Sequence, residues 1–180
     1  MKRPRTLKAR ALQLLAQREQ SRVELRRKLL AHGLASGGAD PGAGLGDDPE
    51  VRAASAATQV EDVLAWLEAH GFLSAERFAE SRVNARAERF GNLRIRQELA
   101  RHQIALTPEA AQTLVDSELE RARAVRARKY SAAPGSPAES ARQSRFLLAR
   151  GFSADVVRKV VREAARREPH PGVERETEDA

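Results

Sequence analysis

Apolar residues return along this chain at helical spacing, with polar residues filling the intervals. Leu7, Ala11, Leu14 and Leu15 stand at i, i+4, i+7 and i+8, one face of an amphipathic helix. A second helix is expected from Ser21, where Ser21 and Glu24 make a capping box, to Gly33, suited to the left-handed position after a helix. Val60, Val63, Leu64 and Leu67, broadened by Trp66, give a third, which Gly71 stops; Ser74 is the next N-cap. Ala79, Val83, Ala87 and Phe90 mark a fourth face, ended by Gly91-Asn92, and Ile95 and Leu99 anchor a short fifth. Thr107-Pro108-Glu109 is a clean start, with an N-cap, Pro at the first helical position and an acid in the first turn. Ala111, Leu114, Val115 and Leu119 carry its face, and the pattern continues through Ala122 and Val125 to Tyr130. After the break at Ala133-Pro134-Gly135-Ser136-Pro137, Ser153 caps a last helix with Val157, Val160, Val161 and Ala164 inward. No strand-like alternation occurs, so the expected fold is all-α.

Within this pattern one word recurs. Leu29-Leu30-Ala31-His32-Gly33, Leu99-Ala100-Arg101-His102-Gln103 and Leu147-Leu148-Ala149-Arg150-Gly151 each set Leu four residues before a Gly or Gln, and a basic or imidazole side chain just before it. A basic amphipathic run precedes each. Self-similarity at a spacing of tens of residues is the signature of tandem helical modules. The expectation is three copies of a three-helix unit. The equivalent leucines 29, 99 and 147 are spaced by 70 and 48 residues, and the excess of 22 is close to the length of the Leu34–Ala57 stretch. That stretch contains Gly37-Gly38, Asp40-Pro41-Gly42 and Gly44-Leu45-Gly46, which is loop chemistry. The expected organisation is a flexible basic N-terminus (1–6), module 1 (7–73) with a Gly-rich insertion (34–57), module 2 (74–116), module 3 (117–168) and a disordered acidic tail (169–180).

Charge sharpens the picture. The net charge is +7, and residues 1–33 hold ten basic side chains against Glu19 and Glu24 alone. Such a balance points to an anionic partner, although a genome rich in Arg and Ala codons would also shift composition this way. No cysteine is present, which excludes disulfides, thiol catalysis and Cys-zinc sites. No apolar stretch approaches the roughly 20 residues of a membrane helix, and Lys8 and Arg10 interrupt any signal-peptide core. A cytoplasmic protein without membrane contact is expected.

Catalytic and cofactor readings find little support. The Gly-rich insertion lacks both the Gly-Lys-Ser/Thr ending and the preceding strand of a phosphate loop. His32, His70 and His102 each precede a Gly or Gln, where imidazole can bond free helix-end carbonyls, and none lies at metal-ligand spacing with a carboxylate. Glu24 is accounted for by its capping box, and Glu98 by an i, i+4 relation to Arg94. No catalytic, metal-binding or cofactor-binding residues are assigned, and no cofactor is expected.

The basic helices are the live signal. Arg22, Arg26 and Arg27 lie on successive turns of one helix; Arg94, Arg96 and Arg101 repeat the arrangement, and Arg142, Arg145 and Arg150 repeat it again. Arg is suited to a bidentate grip on phosphate or carboxylate. Solvated faces would explain any single Arg, but recurrence in three modules favours binding.

Four phrases in order carry a family resemblance. They are Arg18-Glu19-x-Ser21-Arg22-x-Glu24-Leu25-x-x-Lys28-Leu29, Gly71-x-Leu73-x-x-x-Arg77-Phe78-Ala79, Gly91-x-x-Arg94-Ile95-x-x-Glu98-Leu99 and Arg145-Phe146-Leu147-Leu148-x-Arg150-Gly151-Phe152. Over residues 7–165 the chain resembles the RecX family of bacterial recombination regulators. It departs in keeping one acid in Ser74-Ala75-Glu76 and in a longer Leu34–Ala57 segment. The resemblance implies three tandem three-helix modules in an elongated, curved monomer. It also implies binding to RecA filaments on single-stranded DNA, inhibition of RecA ATP hydrolysis and strand exchange, and a part in DNA repair and the SOS response. Arg77, inside the second phrase, joins the arginines above as a candidate contact for RecA or for single- or double-stranded DNA. The competing reading is a helical DNA-binding protein with helix-turn-helix-like modules that acts without RecA. Against it, no helix start offers an obvious base-reading set.

Overall fold

The computed structural model describes residues 6–35 and 49–167. Among them every regular element is helical: α1 (Leu7–Leu15), α2 (Arg22–Ala35), α3 (Pro49–Ala69), α4 (Ala75–Ala87), α5 (Asn92–Arg101), α6 (Pro108–Asp116), α7 (Glu118–Lys129), α8 (Pro137–Ala149) and α9 (Ala154–Arg167). None is long and apolar enough to cross a membrane. The described residues form two compact units. One draws on the described residues up to Arg82 and on Leu99–Ala105, the other on Val83–Glu98 and the described residues from Leu106 onward.

In the first unit, α1, α2 and α3 bury the expected stripes. Leu7, Ala11 and Leu14 meet Leu25 and Leu29 of α2 and Val60, Leu64 and Leu67 of α3, with Leu73 closing the cluster. Removing such aliphatic surface from water at about 25 cal/mol per Å² is the main stabilising term. Thr6 caps α1 through Ala9 N–H. The Ser21 hydroxyl accepts from Glu24 N–H at 3.1 Å, while the Glu24 carboxylate turns to Arg18 and Lys28 instead of completing the box.

Two expectations fail here. α2 does not stop at Gly33 but runs to Ala35, and Gly33 is a buried helical residue. A Cβ there would sit 3.8 Å from Leu7 Cδ2 and 3.9 Å from Ala56 Cβ, so packing against α1 and α3 overrides the local stop signal. The stretch expected as loop is helical at both ends, because Leu34 and Ala35 finish α2 and Pro49–Ala57 open α3. Pro49 and Glu50 place Pro and an acid in the first turn, and Ala56 is buried. Residues 36–48, like the N-terminal 1–5 and the acidic tail, lie outside the described residues.

Two of the three repeated words do end helices as expected. Gln103 (φ 58°) and Gly151 (φ 81°) take the left-handed conformation, as does Gly71 (φ 71°) after α3. In each case the next residue's N–H reaches five residues back: Ile104 to Leu99 O at 3.1 Å, Phe152 to Leu147 O at 3.3 Å, and Phe72 to Leu67 O at 2.8 Å. This is the Schellman closure, which satisfies carbonyls that the helix leaves open.

The second unit packs α7, α8 and α9 around Ala122, Val125, Leu147, Phe152, Val157, Val160 and Val161. Its turns cross at very short range. Gly91 N–H donates to Arg150 O at 2.9 Å, and Leu93 N–H donates to Gly151 O at 3.0 Å. A Cβ on Gly91 would fall 2.2 Å from Phe152 N and 2.3 Å from Gly151 O, so only glycine admits this crossing. Glu118, at the start of α7 and 4% exposed, serves two other helix starts. Its carboxylate accepts from Asn92 N–H at 2.9 Å and from the Ser153 hydroxyl at 2.9 Å. The Ser153 hydroxyl is thus committed to Glu118, in place of the expected capping of α9. One turn on, Arg121 donates to Phe90 O, Leu114 O and Asn92 Oδ1 at 2.9, 2.9 and 2.5 Å, gathering the ends of α4 and α6. Burial pulls the Arg121 guanidinium below its ordinary pKa, with the Glu118 charge opposing that shift.

Smaller departures have local causes. The expected continuous helix from Thr107 to Tyr130 breaks at Ser117, whose hydroxyl bonds back to Thr113 O at 2.9 Å. Val115, expected inward, is 47% exposed, because Leu114 takes the buried position beside it. In α4 the buried anchors are Phe78 and Ala79, whereas Val83, and Phe90 beyond the end of the helix, are only half-buried.

Candidate functional site

The candidate arginines separate by what their donors already hold. In the first unit most are committed to the protein. Arg22 pairs with Glu61 at 2.6 Å and Glu68 at 2.5 Å, and Arg26 pairs with Glu61 at 2.5 Å, which ties α2 to α3. The Glu68 hydrogen bond holds the Arg22 guanidinium above its ordinary pKa against the effect of burial. Arg77 binds Glu19 at 2.9 Å and donates to Gly71 O and Phe72 O, so it closes the turn after α3. Arg27 and Arg101 are exposed and make no contact of this kind among the described residues.

In the second unit Arg86, Arg123 and Arg158 are ion-paired, whereas none of the candidate arginines is, among the described residues. Arg96 and Arg145 are exposed without a partner among the described residues. Arg94 lies 4.4 Å from the Phe90 ring centre, Arg150 lies 4.0 Å from that of Phe146, and Arg142 lies 5.8 Å from that of Tyr130. Glu98, expected beside Arg94, pairs with Arg86 at 3.0 Å. The histidines act at helix ends: His70 bonds Trp66 O at 2.8 Å, and His102 bonds the Ser21 hydroxyl at 2.7 Å while packing on Phe78.

One concave feature gathers such groups. A cleft of about 460 Å³ is lined by Glu88, Arg89, Phe90, Val125, Arg128, Lys129, Phe146 and Arg150. Four cations face a single carboxylate there. Helix α7 supplies Arg128 and Lys129, the turn before α5 supplies Arg89 and Phe90, and α8 with its cap supplies Phe146 and Arg150. Of the candidate arginines only Arg150 lines this cleft. Arg89, Arg128 and Lys129 escaped the sequence reading. The available signal was basic residues beside an aromatic, in Arg89-Phe90 and in Arg128-Lys129-Tyr130. Among the described residues no cluster of three His, Cys, Asp or Glu is placed to hold a metal ion.

Helices in short tandem groups with cationic surfaces define a class: an all-helical protein assembled from three-helix domains. The comparisons with known proteins agree. The family model for the third three-helix domain of RecX matches residues 116–161, and that for the second matches residues 76–106. The regulatory protein RecX of Leptothrix cholodnii is 44% identical over 167 residues, covering 92% of this chain and 93% of that protein. RecX of Ralstonia nicotianae is 42% identical over 166 residues, covering 91% of each. RecX of Neisseria gonorrhoeae is 29% identical over 167 residues, covering 91% of this chain and 94% of its own. The chain belongs to the RecX family.

Proposed function

We propose that this protein binds RecA filaments on single-stranded DNA in the cytoplasm, acts on them as a non-enzymatic regulator, and lowers RecA ATP hydrolysis and strand exchange. The observation that supports this reading most is similarity to proteins named regulatory protein RecX along more than nine-tenths of the chain. The physics is compatible with it. Arg27, Arg96, Arg101 and Arg145 are exposed cations with no internal partner among the described residues, so their donors are available to an external anion. Several weak contacts on linked modules add through effective concentration and do not require one strong site. Module boundaries at 74 and 117 belong to the same proposal, with each module presenting one basic helix.

RecA-driven strand exchange between homologous DNAs tests it. Joint-molecule yield should fall with the protein present below the RecA concentration, because each bound molecule engages several protomers. Inhibition that required excess protein, and disappeared when free DNA was in surplus, would instead favour the RecA-independent DNA binder.

A further inference from the structure

The cleft in the second unit holds its charge in an unusual state. Arg89, Arg128, Lys129 and Arg150 line one volume of about 460 Å³ with Glu88 as the lone carboxylate among the described residues. Among the described residues none of the four is ion-paired. By contrast Arg18, Arg22, Arg26, Lys28 and Arg77 of the first unit are all neutralised by glutamates. Like charges at close range repel, and their mutual repulsion is relieved when an anion enters.

How the cations are held matters as much as their number. Lys129 and Arg150 stand 4.9 Å and 4.0 Å from the centre of the Phe146 ring. Arg128 donates to Glu88 O at 2.9 Å, a neutral backbone acceptor. An aromatic face orients a cation without cancelling its charge, and a guanidinium stacked on a ring keeps its in-plane N–H donors free. Those donors suit the oxygens of a phosphate. Phe90 already carries Arg94 at 4.4 Å and Arg86 at 5.8 Å, so the outer face of Arg150 is the flat surface on which a base can stack, as bases do on guanidinium planes in single-strand binders. The volume lies in the usual range of small-molecule sites, about 300–1,000 Å³.

We infer that this cleft binds a nucleotide, with its phosphate on Arg89, Arg128 and Lys129 and its base against the outer face of Arg150. The ligand comes either as one unit of a single strand or as a free nucleotide, and both present the same chemistry. The inference stands apart from RecA, and an assay without RecA tests it, so its failure would leave the filament reading untouched.

The experiment is an equilibrium titration of the full chain at low salt with fluorescent oligothymidylate, and separately with ATP. Arg89→Gln/Arg150→Gln should weaken binding of the productive probe at least tenfold. Lys159→Gln/Arg162→Gln, which removes two exposed charges from α9, should change it less than twofold. Binding of the oligonucleotide without ATP identifies the strand as the source; binding of ATP identifies the free nucleotide. The Arg89 side chain makes no hydrogen bond or ion pair among the described residues, so Arg89→Gln alone carries the test if the double variant unfolds, with at least a threefold loss expected. The inference is overturned if the native protein binds neither probe, if cleft and α9 variants lose binding equally, or if hexaglutamate displaces the probe as readily as a nucleotide does.

Discussion

Replacing Arg94, Arg96 and Arg101 together by Glu is expected to weaken binding to RecA filaments by about a hundredfold or more while leaving the fold intact. Helix α5 uses Ile95 and Leu99, 2% and 1% exposed, to face the interior. Arg96 and Arg101 point to solvent and hold nothing in the protein among the described residues. Arg94 gives up only its stacking on Phe90, worth about 0.5–1 kcal/mol at an exposed site. Solvated cations contribute little to stability, so the melting midpoint should move by only a few degrees. A hydrogen bond to a charged group is worth about 1.5–3 kcal/mol. Losing two therefore removes roughly 3–6 kcal/mol, and each 1.4 kcal/mol is about tenfold in affinity. A filament-binding titration beside a circular-dichroism melt measures both effects. Parallel loss on naked single-stranded DNA, with a salt slope shallower by about 0.7 per lost phosphate contact, would assign these arginines to DNA. Loss on filaments alone would assign them to RecA. Full filament inhibition by the folded triple variant would return them to the role of solvated surface.

Glu118→Ala should be the most damaging single replacement for stability, costing about 3–5 kcal/mol, as removal of one partner from a buried charged network does. One carboxylate there serves Asn92 N–H, Ser153 N–H and the Ser153 hydroxyl, at 2.9, 3.3 and 2.9 Å. Its removal orphans donors at the starts of two helices and leaves half-buried Arg121 without its neighbouring negative charge. At about 2–4 °C per kcal/mol for a chain of this size, the midpoint should fall by roughly 10 °C. Glu118→Gln retains one acceptor oxygen and should lose less. A midpoint for Glu118→Ala within 2 °C of the native protein would show that water replaces the carboxylate without penalty.

Local signals were legible where local physics decides the outcome. Gln103 and Gly151 end their helices because a left-handed residue closes the last turn, and the repeated word around them announces it. The same word fails at Gly33, which lies buried in α2 beside Leu7 of α1 and Ala56 of α3, so the helix continues for a reason found in neighbours far along the chain. The start of α3 lay hidden in an Ala-rich, Gly-flanked stretch. Its marker was Pro49-Glu50, the combination that Pro108-Glu109 shows at α6. Glu118 and Arg121 look like surface residues in sequence; their partners lie up to 35 residues away, and only the crossing of the Gly91 and Gly151 turns brings them together. The cleft was missed for the same reason. Its four cations come from three segments, and the expectation of one basic face per module pointed to Arg142, Arg145 and Arg150, of which only Arg150 lines it.

Restraint of RecA on single-stranded DNA is read out by RecA ATP hydrolysis on a long single strand. RecA filaments are formed first, and the protein is then added at about one-tenth of the RecA concentration. Hydrolysis should fall to less than half of its starting rate, and the triple α5 variant should leave it near the uninhibited value. An unchanged rate, even with the protein equimolar to RecA, would show that this chain does not restrain RecA.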